Sequence, residues 1–211
     1  MSRIEGVSEQ RANPLVRFVY RAVRRELGRM TGRRELTPDI PVRAHRTSLL
    51  LGFLAMEKAV ATGPRVAGRL RALVQLKAAV MLGCEMCQDI GSQQALDGGV
   101  TPEQMRDLRV YRESVHFDET ERLVLDLAVG MTLTPVRVGE ELVSALRERF
   151  DDAELVELVN LVAVENLRSR FNATFALGAV GFNEGRACAV MEPAPAPALA
   201  VVHDAPVEVP A

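Results

Sequence analysis

Two cysteines at a spacing suited to redox chemistry stand out in this sequence. Cys84 and Cys87 enclose Glu85 and Met86, whereas Cys188 lies far along the chain. Cysteines three residues apart on a helix share one face and can approach each other. Their thiols often have lowered pKa values, because the partner thiol and the N–H groups at a helix end can stabilise a thiolate. The spacing therefore indicates a nucleophilic thiol with a resolving thiol beside it.

Two other interpretations of the cysteine pair are open. Free cysteines are often buried as small apolar residues, so the pair could simply pack in the core. It could also be half of a zinc site, but the sequence lacks a second Cys-x-x-Cys motif or a histidine pair to complete one. We therefore expect no metal, and no cofactor apart from a redox-active disulfide.

Composition and periodicity predict an all-α fold around the pair. The 211 residues are 48% hydrophobic and only 4% aromatic, which suits packed helices better than β-sandwiches. Apolar residues recur at helical spacing, and no useful β-alternation appears. The predicted domains are a helical extension over residues 1–39, a helical domain over 40–190 and a disordered tail over 191–211.

Start and stop signals place the individual helices. Their predicted positions are from Pro14 to before Gly32, about Ala44 to Ala61, about Val66 to Leu82, the cysteine pair to Leu96, a short helix from Thr101, one from Asp118 through Met131, one through Leu142 and Phe150, and a long final helix from Asp151 through Phe171. Gly83 can end the third of these helices, and the cysteine pair follows at once.

Charge and hydropathy exclude several classes of partner. The net charge is −2, so the chain as a whole gives no signal for binding nucleic acid. No uncharged apolar run reaches the roughly 18 residues of a membrane span. Residues 1–13 are polar and do not resemble a signal peptide. We therefore expect a cytoplasmic protein without a membrane partner.

A few polar residues could assist the thiols. Asp89 and Ser92 follow the pair closely and could transfer protons if they face it, and His45, at the start of the predicted second helix, is a third candidate. Each could equally be an ordinary surface or capping group. Glu85, as an anion, would raise a neighbouring thiol's pKa. Glu165, Arg168 and Arg170 on the final helix are interpreted as a structural ion-pair network.

Several segments together resemble the carboxymuconolactone decarboxylase / AhpD-like family. They are Arg71–Lys77, Leu82–Ser92 with its Gly-Cys-x-x-Cys motif, Glu165-Asn166 and Arg170–Asn172. The resemblance covers roughly Ile40 to Phe182. It implies an all-α, AhpD-like helical bundle that forms homo-oligomers. In members with the cysteine pair it also implies thiol-dependent peroxidase or disulfide-reductase activity.

The family's redox residues carry over only in part. Both cysteines match, but Ala72 stands where the family has its relay glutamate, and Met86 and Gly91 stand where it has histidines. A helix beginning at Cys84 would favour that residue as the thiolate. The resemblance instead implies that Cys87 attacks peroxide and Cys84 resolves, and we favour this assignment. Without the usual relay, we expect peroxide reduction to be slow and disulfide exchange to be the more robust activity.

The leading functional hypothesis is a thiol–disulfide oxidoreductase that reduces hydroperoxides through Cys84 and Cys87. Its expected partners are a small peroxide or disulfide substrate, an electron donor that the sequence does not name, and further copies of the chain. The alternatives are a lactone decarboxylase-like enzyme and a non-catalytic oligomeric or redox-responsive binding protein. Reactivity of the thiols distinguishes the catalytic class from the non-catalytic one. We expect Cys188 to stay free after mild oxidation.

Overall fold

The computed structural model describes residues 2–182, apart from the side chains of Met30 and Thr31. The regular secondary structure of this part of the chain consists only of helices. The predicted all-α fold is thus confirmed. Cys188 and the tail predicted over 191–211 lie outside the described residues. The helices are α1 (Pro14–Thr31), α2 (Asp39–Arg43), α3 (Thr47–Ala61), α4 (Gly68–Met81), α5 (Glu85–Asp97), α6 (Pro102–Asp107), α7 (Glu119–Thr132), α8 (Glu140–Arg147) and α9 (Asp152–Thr174).

Helix α4 is the centre of the bundle, since it packs against α5, α7 and α9. One side of α4 shares an apolar cluster with α5, α6 and α7, in which Leu73 and Leu76 are fully buried. Its other side, through Val74 and Ala78, shares a second cluster with α7, α8 and α9. A helix that is apolar almost all round is expected to be buried in this way.

Local capping determines where several helices begin. Thr101, Asp118 and Asp151 each cap a helix start, and each is paired with a Glu or Gln three residues later in a capping box. These starts agree with the predicted ones. Helix α2 lies between the first two predicted helices and was not predicted. Pro41 lies in the first turn of α2, where a missing N–H removes no intrahelical hydrogen bond.

The N-terminal helices form a third apolar cluster of their own. Val16 and Tyr20 of α1 pack with Ile40, Leu50 and other residues of α2 and α3. The guanidinium of Arg43 lies 3.7 Å from the ring centroids of both Phe53 and Phe171, which ties α2 and α3 to α9.

Over the described range, no helix is both long and apolar enough to cross a membrane.

Candidate active site

The turn between α4 and α5 places Cys84. Gly83 has a φ of 65°, a left-handed conformation that glycine adopts without a Cβ clash. The N–H of Gly83 donates to the carbonyl of Val80 at 3.2 Å, and the N–H of Cys84 donates to that of Ala79 at 3.1 Å. This pair of bonds is a Schellman motif, which satisfies the last carbonyls of α4. The chain therefore turns sharply, so that Cys84 completes the C-terminal cap of α4 and is also the N-cap of α5.

The two cysteines are joined by a disulfide, with their Cα atoms 5.2 Å apart. Cys84 is the N-cap of α5, and its Sγ accepts a hydrogen bond from the backbone N–H of Cys87 at 3.2 Å. Cys87 lies in the first turn and is 9% exposed, compared with 2% for Cys84. The structure thus provides a helix-end donor to the Cys84 sulfur, and both cysteines are buried, Cys84 more completely than Cys87.

A buried amide from α9 contacts both sulfurs. The Nδ2 of Asn172 donates to Cys87 Sγ at 3.4 Å and to Cys84 Sγ at 3.7 Å. Asn172 is 2% exposed. The cysteine pair therefore starts a helix that packs against the last long helix.

Sequence analysis assigned no role to Asn172, although a signal for it existed. Glu165, Ser169 and Asn172 are spaced four and three residues apart, so they lie on one face of α9. All three are buried. Polar residues on the inward face of a helix require partners, so this spacing could have marked Asn172 as a residue facing the site.

Further along that face lies a partly buried ion-pair cluster, in which Glu165 is buried and Arg168 and Glu57 are partly exposed. Arg168 donates to both oxygens of Glu57 at 2.6 and 2.7 Å, and to Gln75 and Glu165 at 3.0 Å each. The hydroxyl of Ser169 donates to the other oxygen of Glu165 at 2.9 Å. The predicted pairing of Glu165 with Arg168 is confirmed.

Burial decides the direction of the pKa shift of Glu165, whereas pairing decides it for Arg168. Burial raises the pKa of Glu165, against the opposing effects of Arg168 and Ser169. Burial also disfavours charge on Arg168, but hydrogen bonds and charges from Glu57 and Glu165 outweigh it and raise the pKa of Arg168. Glu165 is thus a buried carboxyl whose ionised form is stabilised mainly by Arg168. Arg170 does not join the cluster, because it donates to the carbonyl of Thr132 at 3.3 Å.

Asp89 lies on α5 directly after the cysteines, but its carboxylate holds a chain segment. Its Oδ2 accepts the backbone N–H groups of Val180 and Phe182 at 2.9 and 3.0 Å. Asp89 is 6% exposed. It therefore fastens the segment after α9 onto α5, and this geometry favours a holding role over that of a base.

We expect Asp89→Ala to destabilise the fold by about 1–3 kcal/mol, since it removes two charge-assisted hydrogen bonds. Hydrogen exchange at the amides of Val180 and Phe182 should accelerate. Asp89→Asn keeps an acceptor oxygen and should preserve both stability and thiol turnover. Turnover that falls in Asp89→Asn while those amides stay protected would instead assign Asp89 as a base.

The remaining candidate residues are Ser92, Glu85 and His45. Ser92 is fully buried on α5. Glu85 is exposed in the first turn of the same helix. His45 is also exposed, and its Nε2 donates to the carbonyl of Glu5 at 2.8 Å, so its contact is with the N-terminal segment. The catalytic roles of Ser92 and His45 stay predictions.

Among residues 2–182, no group of three or more His, Cys, Asp or Glu side chains is placed to hold a metal ion.

Comparison with known proteins places the chain in a family. The sequence profile of the carboxymuconolactone decarboxylase family matches residues 48–130. The Escherichia coli K12 protein YnjA is 31% identical over 142 residues, which are 67% of this chain and 75% of YnjA.

Two solved structures share the fold at low sequence identity. An uncharacterised peroxidase-related protein with an alkylhydroperoxidase AhpD core, from Ralstonia eutropha JMP134, superposes with a TM-score of 0.72 at 18% identity, covering 86% of this chain and 94% of that one. A cysteine-to-alanine variant of the debrominase Bmp8, in complex with 2,3,4-tribromopyrrole, superposes with a TM-score of 0.71 at 17% identity and the same coverage. These likenesses show the AhpD-like helical fold. Taken with the family match and the relationship to YnjA, they establish that the chain belongs to the carboxymuconolactone decarboxylase family.

Proposed function

We propose that the protein is a thiol–disulfide oxidoreductase that cycles Cys84 and Cys87 between a disulfide and a dithiol, and that its dithiol form reduces hydroperoxides. The observation that carries the proposal is the disulfide at the start of α5, with backbone and side-chain N–H groups directed at its sulfurs. The names of AhpD-like structural relatives support hydroperoxides as the substrate class.

The position of the disulfide supports a redox role over a structural one. It joins residues only three apart in sequence. Because the entropic stabilisation from a disulfide grows with the length of the loop it closes, this bond restricts the unfolded chain little. The N–H of Cys87 can instead stabilise a thiolate at Cys84, which favours reversible opening of the bond.

In the oxidising half of the cycle, the Cys87 thiolate attacks one peroxide oxygen. The O–O bond breaks, the alcohol leaves after taking up a proton, and Cys87 becomes a sulfenic acid. Cys84 then attacks the Cys87 sulfur, the disulfide forms and water leaves. Two electrons pass from the two thiols to the peroxide, and a dithiol reductant restores them.

A homo-oligomeric state stays a prediction of the same family relationship.

Thiol counting tests the proposal on the full chain. The chain has three cysteines, so the fully reduced, folded protein should show three reactive thiols under denaturing titration. One equivalent of cumene hydroperoxide should lower the count to one, and dithiothreitol should restore it. Peptide mass spectrometry should map the bond to Cys84 and Cys87 and leave Cys188 free.

The same titration separates the alternatives. A disulfide that resists dithiothreitol in the folded protein, or a dithiol that survives peroxide, would refute the redox cycle and favour a non-catalytic protein. Exchange with dithiothreitol should be faster than reaction with peroxide, because Ala72, Met86 and Gly91 replace the family's relay residues.

A further inference from the structure

Asn172 has a hydrogen-bonding imbalance at the disulfide. Its Nδ2 lies within donor distance of both sulfurs, at 3.4 Å from Cys87 Sγ and 3.7 Å from Cys84 Sγ. Its Oδ1, however, is buried and has no hydrogen-bond partner. A buried carbonyl oxygen without a donor carries an energetic penalty, so this oxygen requires an explanation.

The two oxidation states of the cysteine pair offer different hydrogen-bond partners to the two polar groups of the Asn172 amide. Disulfide sulfurs carry no proton and can only accept, which suits the Nδ2–H donor. Reduction creates S–H groups, and a thiol S–H can donate to a carbonyl oxygen. Rotation of the planar amide about its Cβ–Cγ bond can bring Oδ1 to the position of Nδ2. The oxygen that is unpaired against the disulfide therefore has a donor once the pair is reduced.

We propose that Asn172 is a catalytic residue of the cysteine pair, whose amide N–H holds the sulfur that becomes anionic during exchange and whose carbonyl oxygen accepts the S–H formed on reduction. The proposal rests on the proposed thiol–disulfide function. This sequence lacks the family's relay residues, and Asn172 on α9 provides part of the stabilisation of the sulfurs in their place.

The reductive step shows where Asn172 acts. A thiolate of a dithiol reductant attacks the sulfur of Cys87, the more exposed of the two residues, and forms a mixed disulfide with it. The Cys84–Cys87 bond breaks, and Cys84 leaves with the electron pair as a thiolate. Two N–H groups face that sulfur, the backbone N–H of Cys87 at 3.2 Å and the Nδ2 of Asn172 at 3.7 Å.

The second thiol of the reductant completes the exchange. It attacks the reductant's own sulfur in the mixed disulfide, and Cys87 leaves as a thiolate 3.4 Å from the Asn172 amide. The reductant ends as a disulfide, having given two electrons to the pair. The two protons that its thiols lose balance the two that the cysteines take up, and one of the resulting S–H groups can donate to Oδ1 of Asn172.

The test compares isosteric variants of Asn172 with a matched control on the same helix. Asn172→Leu removes both polar groups, and Asn172→Asp replaces the donor with an anionic oxygen. Asn166→Leu makes the same change at a side chain whose Nδ2 donates to Thr132 and Val162 instead of sulfur. The measured quantity is the rate at which dithiothreitol reduces the disulfide in the folded protein.

We expect Asn172→Leu to slow reduction about tenfold, because a hydrogen bond to a charged sulfur is lost. Asn172→Asp should be slower still, since its carboxylate repels the leaving thiolate. Asn166→Leu should match the parent. Parental rates in both Asn172 variants would overturn the proposal, whereas a parent disulfide that dithiothreitol cannot reduce would refute the proposed function itself.

A second measurement needs no variant and covers the case in which Asn172 variants fail to fold. In a 15N–1H spectrum of the parent, the side-chain NH2 of Asn172 should shift between the disulfide and dithiol forms. The side-chain NH2 of Asn166 should keep its position. An unchanged Asn172 signal would mean that the amide does not exchange partners with the redox state, and the proposal would be wrong.

Discussion

The Cys87→Ser variant should lose hydroperoxide consumption by at least about 100-fold, because it removes the sulfur that attacks the peroxide. Cys87 is the more exposed of the two cysteines, at 9% against 2%, so we expect a substrate to reach it more easily. The rate should be measured with cumene hydroperoxide and dithiothreitol as the reductant. Cys188→Ser is the control and should match the parent.

The Cys84→Ser variant should show a different defect. Serine is among the best N-cap residues, so α5 should keep its start after this change. Cys87 can still attack one peroxide molecule, but its sulfenic acid has no resolving thiol on the same chain. Dimedone should therefore trap a sulfenic acid at Cys87 after a single turnover.

The two variants together assign the roles of the sulfurs. Sulfenic acid trapped at Cys84 in Cys87→Ser, with none at Cys87 in Cys84→Ser, would reverse the assignment. That result would favour the N-cap position of Cys84 as the source of the reactive thiolate. Parental rates in both variants would contradict the thiol mechanism altogether.

Arg168→Met should destabilise the fold by about 3 kcal/mol, the lower end of the range for breaking a buried ion pair from one side, because Glu165 is buried but Arg168 and Glu57 are only partly so. The change leaves Glu165 buried without its cation, and it removes the bidentate partner of Glu57. Urea unfolding should report the loss. Arg147→Met is the matched control, because its pair with Asp152 is exposed, and it should cost less than about 1 kcal/mol.

The loss in Arg168→Met should depend on pH. Burial already raises the pKa of Glu165, and removal of Arg168 takes away the main group that opposes this shift. A carboxyl with a raised pKa is least costly to bury when it is protonated. The deficit relative to the parent should therefore be smallest at acidic pH, below the pKa of Glu165 in the unfolded chain, and should grow as the pH rises through its pKa in the folded variant.

A second substitution tests the source of this deficit. Adding Glu165→Gln to Arg168→Met removes the orphaned charge, so the double variant should recover part of the lost stability and most of the pH dependence should vanish. Equal losses in Arg168→Met and Arg147→Met would show that the cluster contributes no more than a surface pair.

Local sequence determined the helices and the position of the cysteine pair. The capping boxes at Thr101, Asp118 and Asp151 connect groups three residues apart, and Gly83 permits the left-handed turn that makes Cys84 an N-cap. Such features are readable because they depend on backbone conformation over a few residues. Helix α2 was missed because it is only five residues long, too short for apolar periodicity to show it.

The tertiary structure alone decided what surrounds the sulfurs. Asn172 is 85 residues from Cys87, Arg168 is 111 residues from Glu57, and Val180 is 91 residues from Asp89. Periodicity shows which face of a helix is buried, but the rotation and crossing of packed helices decide which side chain that face meets. The sequence therefore determined that a redox-capable pair begins α5. Packing of α9 and the segment after it decided that an amide contacts both sulfurs, while the carboxylate of Asp89 accepts hydrogen bonds from the backbone.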